Sequence, residues 1–370
     1  MNPNFKRTAG LIGLVAAGSL VLSACSEDTS NGGDDKSASD LNLSGTSGQL
    51  TGEGASSQQK AMDLFNQLYS ENVDGAALSY NASGSGAGVK QFTAGTVAFG
   101  GSDSPLKDEE VEPAAKRCGG NEAWHLPMVI GPVAIAYNLE GVDKLALTPE
   151  VIAEIFDGKI KKWDDEAIKK LNEGVELPSE NITVVHRSDE SGTTDNFQKF
   201  LKASAGDAWP HEPSKVFPGA GSGASGSSGV ADQVAATKNS ITYVESGFAT
   251  EKDLGVAEID FGNGPVALNA DSVGVALENL KYKTPEDSHN MVIDSKALFA
   301  MDTEGAYPLV LTTYEIVCSA GYDETTRDMV KDFLTIALEK GQTDKLSELG
   351  FIPVKGAYKD KLVAAVDAIK

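Results

Sequence analysis

Two hydrophobic rhythms alternate along this chain. Short apolar runs occur at residues 97–99, 182–185 and 241–244, and longer ones at 128–137 and 309–317. Their β-branched and aromatic content predicts strands. Between them, apolar residues recur three and four apart: Ala61, Leu64, Phe65 and Leu68, then Phe197, Phe200 and Leu201, then Met329, Phe333 and Ile336. That spacing predicts amphipathic helices, the longest over 326–340, with short helices at 151–156 and 164–171. Strands alternating with helices predict an α/β architecture with a mostly parallel sheet. In such folds, ligands bind where helices start after strand ends.

Three helix starts, one of them opening the helix that runs through Val89 and Phe92, are entered through turns of small residues. The first turn is Gly52-Glu-Gly-Ala-Ser56-Ser57, the second Gly84-Ser85-Gly-Ala-Gly88, and the third Ser191-Gly192-Thr193-Thr194, which follows Arg187-Ser-Asp189-Glu. The first N–H groups of a helix have no intrahelical partner and sit at the positive end of its dipole, where they hold anions. Gly192 lets the backbone approach closely, and Ser191 and Thr193 add hydroxyl donors. Arg187 offers a planar fork suited to a tetrahedral oxyanion, with Asp189 placed to pin it. Each turn taken alone reads first as an ordinary Ser/Thr cap or Gly/Ser turn. Asp103, in Ser-Asp-Ser-Pro, reads likewise as a turn cap. The low-complexity stretch 219–229 reads as a mobile loop, with an anion nest as the alternative.

The 370 residues suffice for two lobes of ordinary size. A net charge of −23 argues against nucleic acid and anionic membrane surfaces as partners. It does not argue against a small anion in a dry site, since distant surface charge is screened within about 10 Å. Lys6 and Arg7 precede an apolar run over 9–22 that is too short for a comfortable membrane span. The order of charge, apolar core and small residues is that of a secretory signal. Leu22-Ser-Ala-Cys25 resembles the bacterial lipobox. That resemblance implies cleavage after residue 24, lipid on the Cys25 sulfur, and a protein held at the extracytoplasmic face of the cell membrane. Residues 25–49, rich in Ser, Gly and Asp, read as a flexible tether with a root-mean-square reach of roughly 25–30 Å. With Cys25 lipidated, Cys118 and Cys318 remain as an even pair in an exported chain. This predicts a disulfide, two buried free thiols being the alternative.

From about residue 50 onward the chain resembles the phosphate-binding proteins of high-affinity phosphate ABC transporters. The resemblance rests on Thr51-Gly-Glu-Gly-Ala-Ser-Ser57, Gly84-Ser-Gly-Ala-Gly-Val-Lys-Gln91, Phe99-Gly-Gly-Ser-Asp-Ser-Pro-Leu106, Gly158-Lys-Ile-Lys-Lys-Trp163, Val185-His-Arg-Ser-Asp-Glu-Ser-Gly-Thr193 and Leu349-Gly-Phe-Ile-Pro353, in family order. It implies a two-lobed periplasmic-binding-protein fold with a hinge and the ligand in the inter-lobe cleft. Lobe I would comprise 50–130 and 306–370, and lobe II 131–305. The implied phosphate ligands are Ser56, Ser57, Ser85, Asp103, Arg187, Ser191, Gly192 and Thr193, with Asp189 as the partner of Arg187. Ser57 stands where some relatives carry a bulky aromatic, and 219–229 departs from a commoner Gly-Asn turn, so no ligand contact is expected there. The implied partners are inorganic phosphate and a membrane permease. The resemblance implies no catalytic residue, metal or cofactor, and a monomer.

Phosphate near neutral pH always carries a proton and sulfate carries none. A buried Asp103 carboxylate would accept that proton and repel sulfate. Two rival readings stand beside capture for transport. One is a phosphatase-like enzyme built on Ser191, Arg187 and His186, although His125, His186, His211 and His289 fall in no catalytic or metal-binding pattern. The other is a surface phosphate sensor using the same site.

Overall fold

The computed structural model describes residues 41–278 and 280–370. The signal segment 1–24, Cys25 and residues 26–40 of the expected tether lie outside the described residues.

Twelve strands are formed among the described residues: β1 (Gly48–Gly54), β2 (Ala76–Asn81), β3 (Phe99–Ser102), β4 (Ala123–Asn138), β5 (Ala146–Leu147), β6 (Thr183–Arg187), β7 (Ser222–Ala224), β8 (Ser240–Glu245), β9 (Gly255–Val256), β10 (Glu258–Asp260), β11 (Pro265–Val266) and β12 (Val310–Cys318). Nine share one sheet in the order β2-β1-β3-β12-β4-β8-β6-β7, with β9 also on β4, and β11-β10-β5 form a small second sheet.

The long strand β4 organises the molecule. Residues 123–132 pair with β12, and residues 133–138 pair with β8. One strand therefore runs through both halves of the sheet, the half carrying β1, β2, β3 and β12 and the half carrying β6, β7 and β8. Pro127 has no N–H to give the ladder, and the register against β12 shifts between Thr313 and Tyr314, opposite Val129 and Pro127. Such a bulge re-aims the side chains beside it.

The expectation of a mostly parallel sheet is corrected. The outer pairs β1–β2, β1–β3, β6–β7 and β6–β8 are parallel, but β12 runs antiparallel to β3 and β4, and β4 antiparallel to β8. Both central strands are buried nearly throughout. A strand covered on both faces loses its period-two pattern, so its apolar run looks the same in either orientation.

Helices cover each half. Helix Glu324–Glu339 packs on helix Gln59–Asn72, where Phe333 meets Tyr69 edge-on and stacks on Phe99, both at 5.6 Å between ring centroids. In the other half, Phe197 of helix Gly192–Ser204 stacks on Tyr243 at 4.3 Å and meets Phe156 at 4.8 Å. Cys118, at the end of helix Asp108–Arg117, is disulfide-bonded to Cys318 at the end of β12, as the cysteine count predicts.

Two further expectations are corrected. The tether is docked well before residue 49: Asp332, itself buried, accepts hydrogen bonds from the N–H groups of Ser44 and Gly45 and from the Ser44 hydroxyl, and β1 begins at Gly48. Ser and Gly residues carry no apolar signal for docking that is made through backbone donors. The segment 219–229 is not simply a loop. It forms β7 on β6 and opens helix Gly226–Ala236, whose buried Val230, Ala231 and Val234 lie at helical spacing behind the Gly/Ser run.

Candidate functional site

Asp103 follows β3 and is 3% exposed. The capping work in its turn falls to Ser102, whose hydroxyl donates to the Ser104 carbonyl at 2.6 Å and accepts from the Ser104 N–H at 3.2 Å. The Asp103 carboxylate is thereby available to other elements. Its Oδ1 accepts from the hydroxyls of Ser57 at 2.6 Å and Thr313 at 2.7 Å, and its Oδ2 from Ser85 at 3.2 Å. Burial raises the Asp103 pKa above the usual range, against the opposing pull of these hydroxyls and of Arg187.

Arg187 ends β6 and is also 3% exposed. Its Nε and Nη2 donate to the two Asp189 oxygens at 2.8 and 2.5 Å. The Gly226 N–H donates to Asp189 Oδ1 at 3.0 Å. Burial opposes the guanidinium charge, but Asp189 outweighs it and Arg187 titrates above its ordinary value. Burial also works against the Asp189 charge, yet Arg187 holds that carboxyl below the usual range. Two edges of the fork are thus fixed, and the remaining nitrogen, Nη1, reaches the hydroxyls of Ser227 at 3.2 Å and Thr193 at 3.5 Å.

Between these poles lies the start of helix Gly192–Ser204. Ser191 caps it, its hydroxyl accepting the Thr194 N–H at 3.2 Å. A Cβ on Gly192 would fall 2.6 Å from Asp103 Oδ2 and closer still to the Ser85 hydroxyl, so only glycine fits. Asn196, one turn on, donates from Nδ2 to the carbonyls of Asp103 at 2.6 Å and Gly192 at 3.0 Å. Thr193 donates to Glu245 Oε1 at 2.6 Å. The turn Ser56–Gln58 and the start of helix Ser85–Ala94 face this point from the other half of the sheet. The three helix starts therefore converge, and Ser56, Ser57, Ser85, Asp103, Arg187, Ser191, Gly192 and Thr193 are all buried together, with Asp189 behind Arg187.

Four residues join this cluster without having been singled out in the sequence. Thr313 lies on a strand about which nothing local is unusual. Ser227 is hidden in the Gly/Ser stretch, and Asn196 sits inside an ordinary helix. Glu245 had the only legible signal, an acid closing the apolar run of β8. Its Oε2 is buried with no hydrogen-bond partner. Burial first, then the Asp103 charge, raises its pKa.

The histidines are occupied elsewhere. His125 Nε2 accepts the Leu106 N–H at 2.9 Å, so the proton sits on Nδ1 facing Asn290 Oδ1 at 2.8 Å, and burial pushes its pKa down to about 4. His186 lies against the Arg187 carbonyl at 2.9 Å and stacks on Phe217, and His211 lies 2.7 Å from Asp157. His289 packs against Trp124. Among the described residues, no group of three or more His, Cys, Asp or Glu is placed to hold a metal ion.

A family model described as the PBP superfamily domain matches residues 42–339. Phosphate-binding protein PstS2 of Mycobacterium bovis is 42% identical, with 99% of each chain covered. Phosphate-binding protein PstS 3 of Mycobacterium tuberculosis is 40% identical over 98% of this chain and 99% of its own. The structure of a phosphate-binding protein from Stenotrophomonas maltophilia aligns with a TM-score of 0.65 at 22% identity, over 86% of this chain and 93% of that one. At that identity it speaks for the two-lobed α/β fold. With relatives this similar along nearly their whole length, the chain belongs to the PstS family of phosphate-binding proteins.

Proposed function

We propose that this protein captures inorganic phosphate outside the cytoplasm and hands it to the permease of a membrane ABC transporter. The observation that carries the reading is the pairing of two opposite poles in one buried site: Asp103, an acceptor held by hydroxyls, and Arg187, a donor held by Asp189. Phosphate offers both a proton and bare oxygens. Asp103 takes the proton. Arg187 Nη1, the N–H groups at Gly192 and Thr193 and the hydroxyls of Ser56 and Ser191 take the oxygens, and the hydroxyls of Ser57, Ser85 and Thr193 turn to them from Asp103 and Glu245 when the anion binds. Sulfate meets the Asp103 carboxylate with a lone pair, and sites built around a ligand O–H reject analogues lacking it by roughly 10⁴–10⁵. Arsenate carries a proton and fits the same logic.

Capture works by closure. In this reading, lobe I comprises 50–130 and 306–370 and lobe II 131–305, and β4 passes between them. Ligand groups from both lobes favour the closed state by differential binding, and the closed state is the form a permease recognises. Cys25 supplies a lipid anchor on the extracytoplasmic face. The protein is a binder and not an enzyme: among the described residues no base lies against the Ser191 hydroxyl, which accepts the Thr194 N–H and keeps its O–H for the anion, and His186 faces a carbonyl and a phenyl ring.

Calorimetry on protein stripped of bound phosphate, titrated with phosphate and then sulfate, tests this. One-to-one phosphate binding with no sulfate heat is expected. Folded protein that binds neither would overturn the reading.

A further inference from the structure

We infer that Ser227 is an additional phosphate ligand, contributed by the Ser/Gly segment and completed only when the two halves of the site meet. This inference rests on the phosphate-binding reading above. Ser227 is the second residue of helix Gly226–Ala236 and 1% exposed. Gly226, at φ +72°, launches that helix with its N–H on Asp189, the same carboxylate that orients Arg187. The Ser227 hydroxyl then accepts from Arg187 Nη1 at 3.2 Å. Its N–H crosses to the other half of the sheet and donates to the Ser56 hydroxyl at 3.1 Å, and the two hydroxyl oxygens lie 3.2 Å apart.

Counting protons decides what this corner does. Ser56 Oγ and Ser227 Oγ each already accept from a fixed donor, the Ser227 N–H and the Arg187 guanidinium respectively. Each keeps one O–H to give. One of these protons bridges the pair, and both can swing toward an anion without breaking either fixed bond. Glu245 faces the same corner from β8: Thr193 donates to its Oε1, the Ser227 hydroxyl also reaches it, and burial, which raises its pKa, favours the neutral carboxyl beside a bare oxygen. The Ser56–Ser227 corner is therefore built for an oxygen that carries no proton. Asp103 is built for one that does. Phosphate is held in a single orientation, with its P–OH toward Asp103 and a bare oxygen toward Ser227.

The test is calorimetry with inorganic phosphate on the full protein and on S227A and S228A, the latter altering an exposed neighbour. Hydrogen bonds to charged groups predict a Kd for S227A weaker by about 10- to 100-fold, with S228A within about twofold of the parent. Melting of the phosphate-free variants controls for folding. S227C, which keeps the volume but offers a weaker donor, carries the same expectation if S227A melts early. Phosphate affinity of S227A within twofold of the parent, or an equal loss in S228A, would overturn the assignment. Absence of phosphate binding by the unaltered protein would instead overturn the reading of the whole site.

Discussion

Gly192 and Asp103 stand so close that no side chain fits between them: a Cβ at 192 would lie 2.6 Å from Asp103 Oδ2. Residues 89 positions apart in the sequence are thus brought within the width of a methyl group. Gly192 opens its helix with ordinary backbone geometry, so its glycine is required by this approach and not by the helix. Gly192→Ala should leave the protein folded without phosphate, with the two halves held apart by the methyl and the gain in helix propensity offsetting part of the lost contact. The rise in melting temperature on adding phosphate should be largely lost, because the added methyl blocks the contact. An undiminished rise would show that the two halves do not need to close this tightly.

Asp103→Asn exchanges an acceptor for a group that also donates. Phosphate binding should survive, weakened, while sulfate becomes a measurable competitor. Competition calorimetry in excess sulfate checks this. Sulfate rejection unchanged in the variant would remove Asp103 from the selectivity argument.

Arg187→Ala deletes the fork and strands Asp189, which is held by Arg187 and the Gly226 N–H. Charge-assisted hydrogen bonds contribute about 1.5–3 kcal/mol each. Phosphate affinity should therefore fall by roughly a hundredfold or more, each tenfold corresponding to about 1.4 kcal/mol. Arg187→Lys should recover little, because an ammonium cannot make the bidentate contact. Titration calorimetry showing Lys equal to Arg would contradict the fork geometry.

Glu315, on β12, sets a pH limit. It is fully buried, with Gln58 donating to Oε2 at 3.3 Å and Oε1 without a hydrogen-bond partner. Burial lifts its pKa well above the carboxylate range, Gln58 opposes, and the Asp103 charge adds to the rise. A group whose pKa is raised on folding contributes stability that is complete below its unfolded pKa and is lost as pH rises through the folded value. Glu315→Gln cannot ionise, so its melting temperature should gain on the parent steadily as pH is raised from about 6 to about 9. Parallel melting curves across that range would show that Glu315 is not held neutral.

What is local was legible in the order of residues. Helix starts show in Gly/Ser turns followed by three- and four-residue apolar spacing, and the Arg187–Asp189 pair shows because two residues of one strand end are neighbours in any fold. The disulfide followed from cysteine number and an export signal. What joins across distance depended on how the chain folds back on itself. The direction of β4 and β12 was illegible because strands buried on both faces carry no alternation to orient them. Thr313 reaches Asp103 from 210 residues away, beside the register shift that leaves Met128 without a partner on β12. Ser227 reaches Ser56 and Arg187 from a segment whose composition resembles any flexible loop. A hydroxyl becomes a ligand only through the direction in which its backbone is held. That direction comes from sheet register and packing against distant elements, and no local pattern of residues records it.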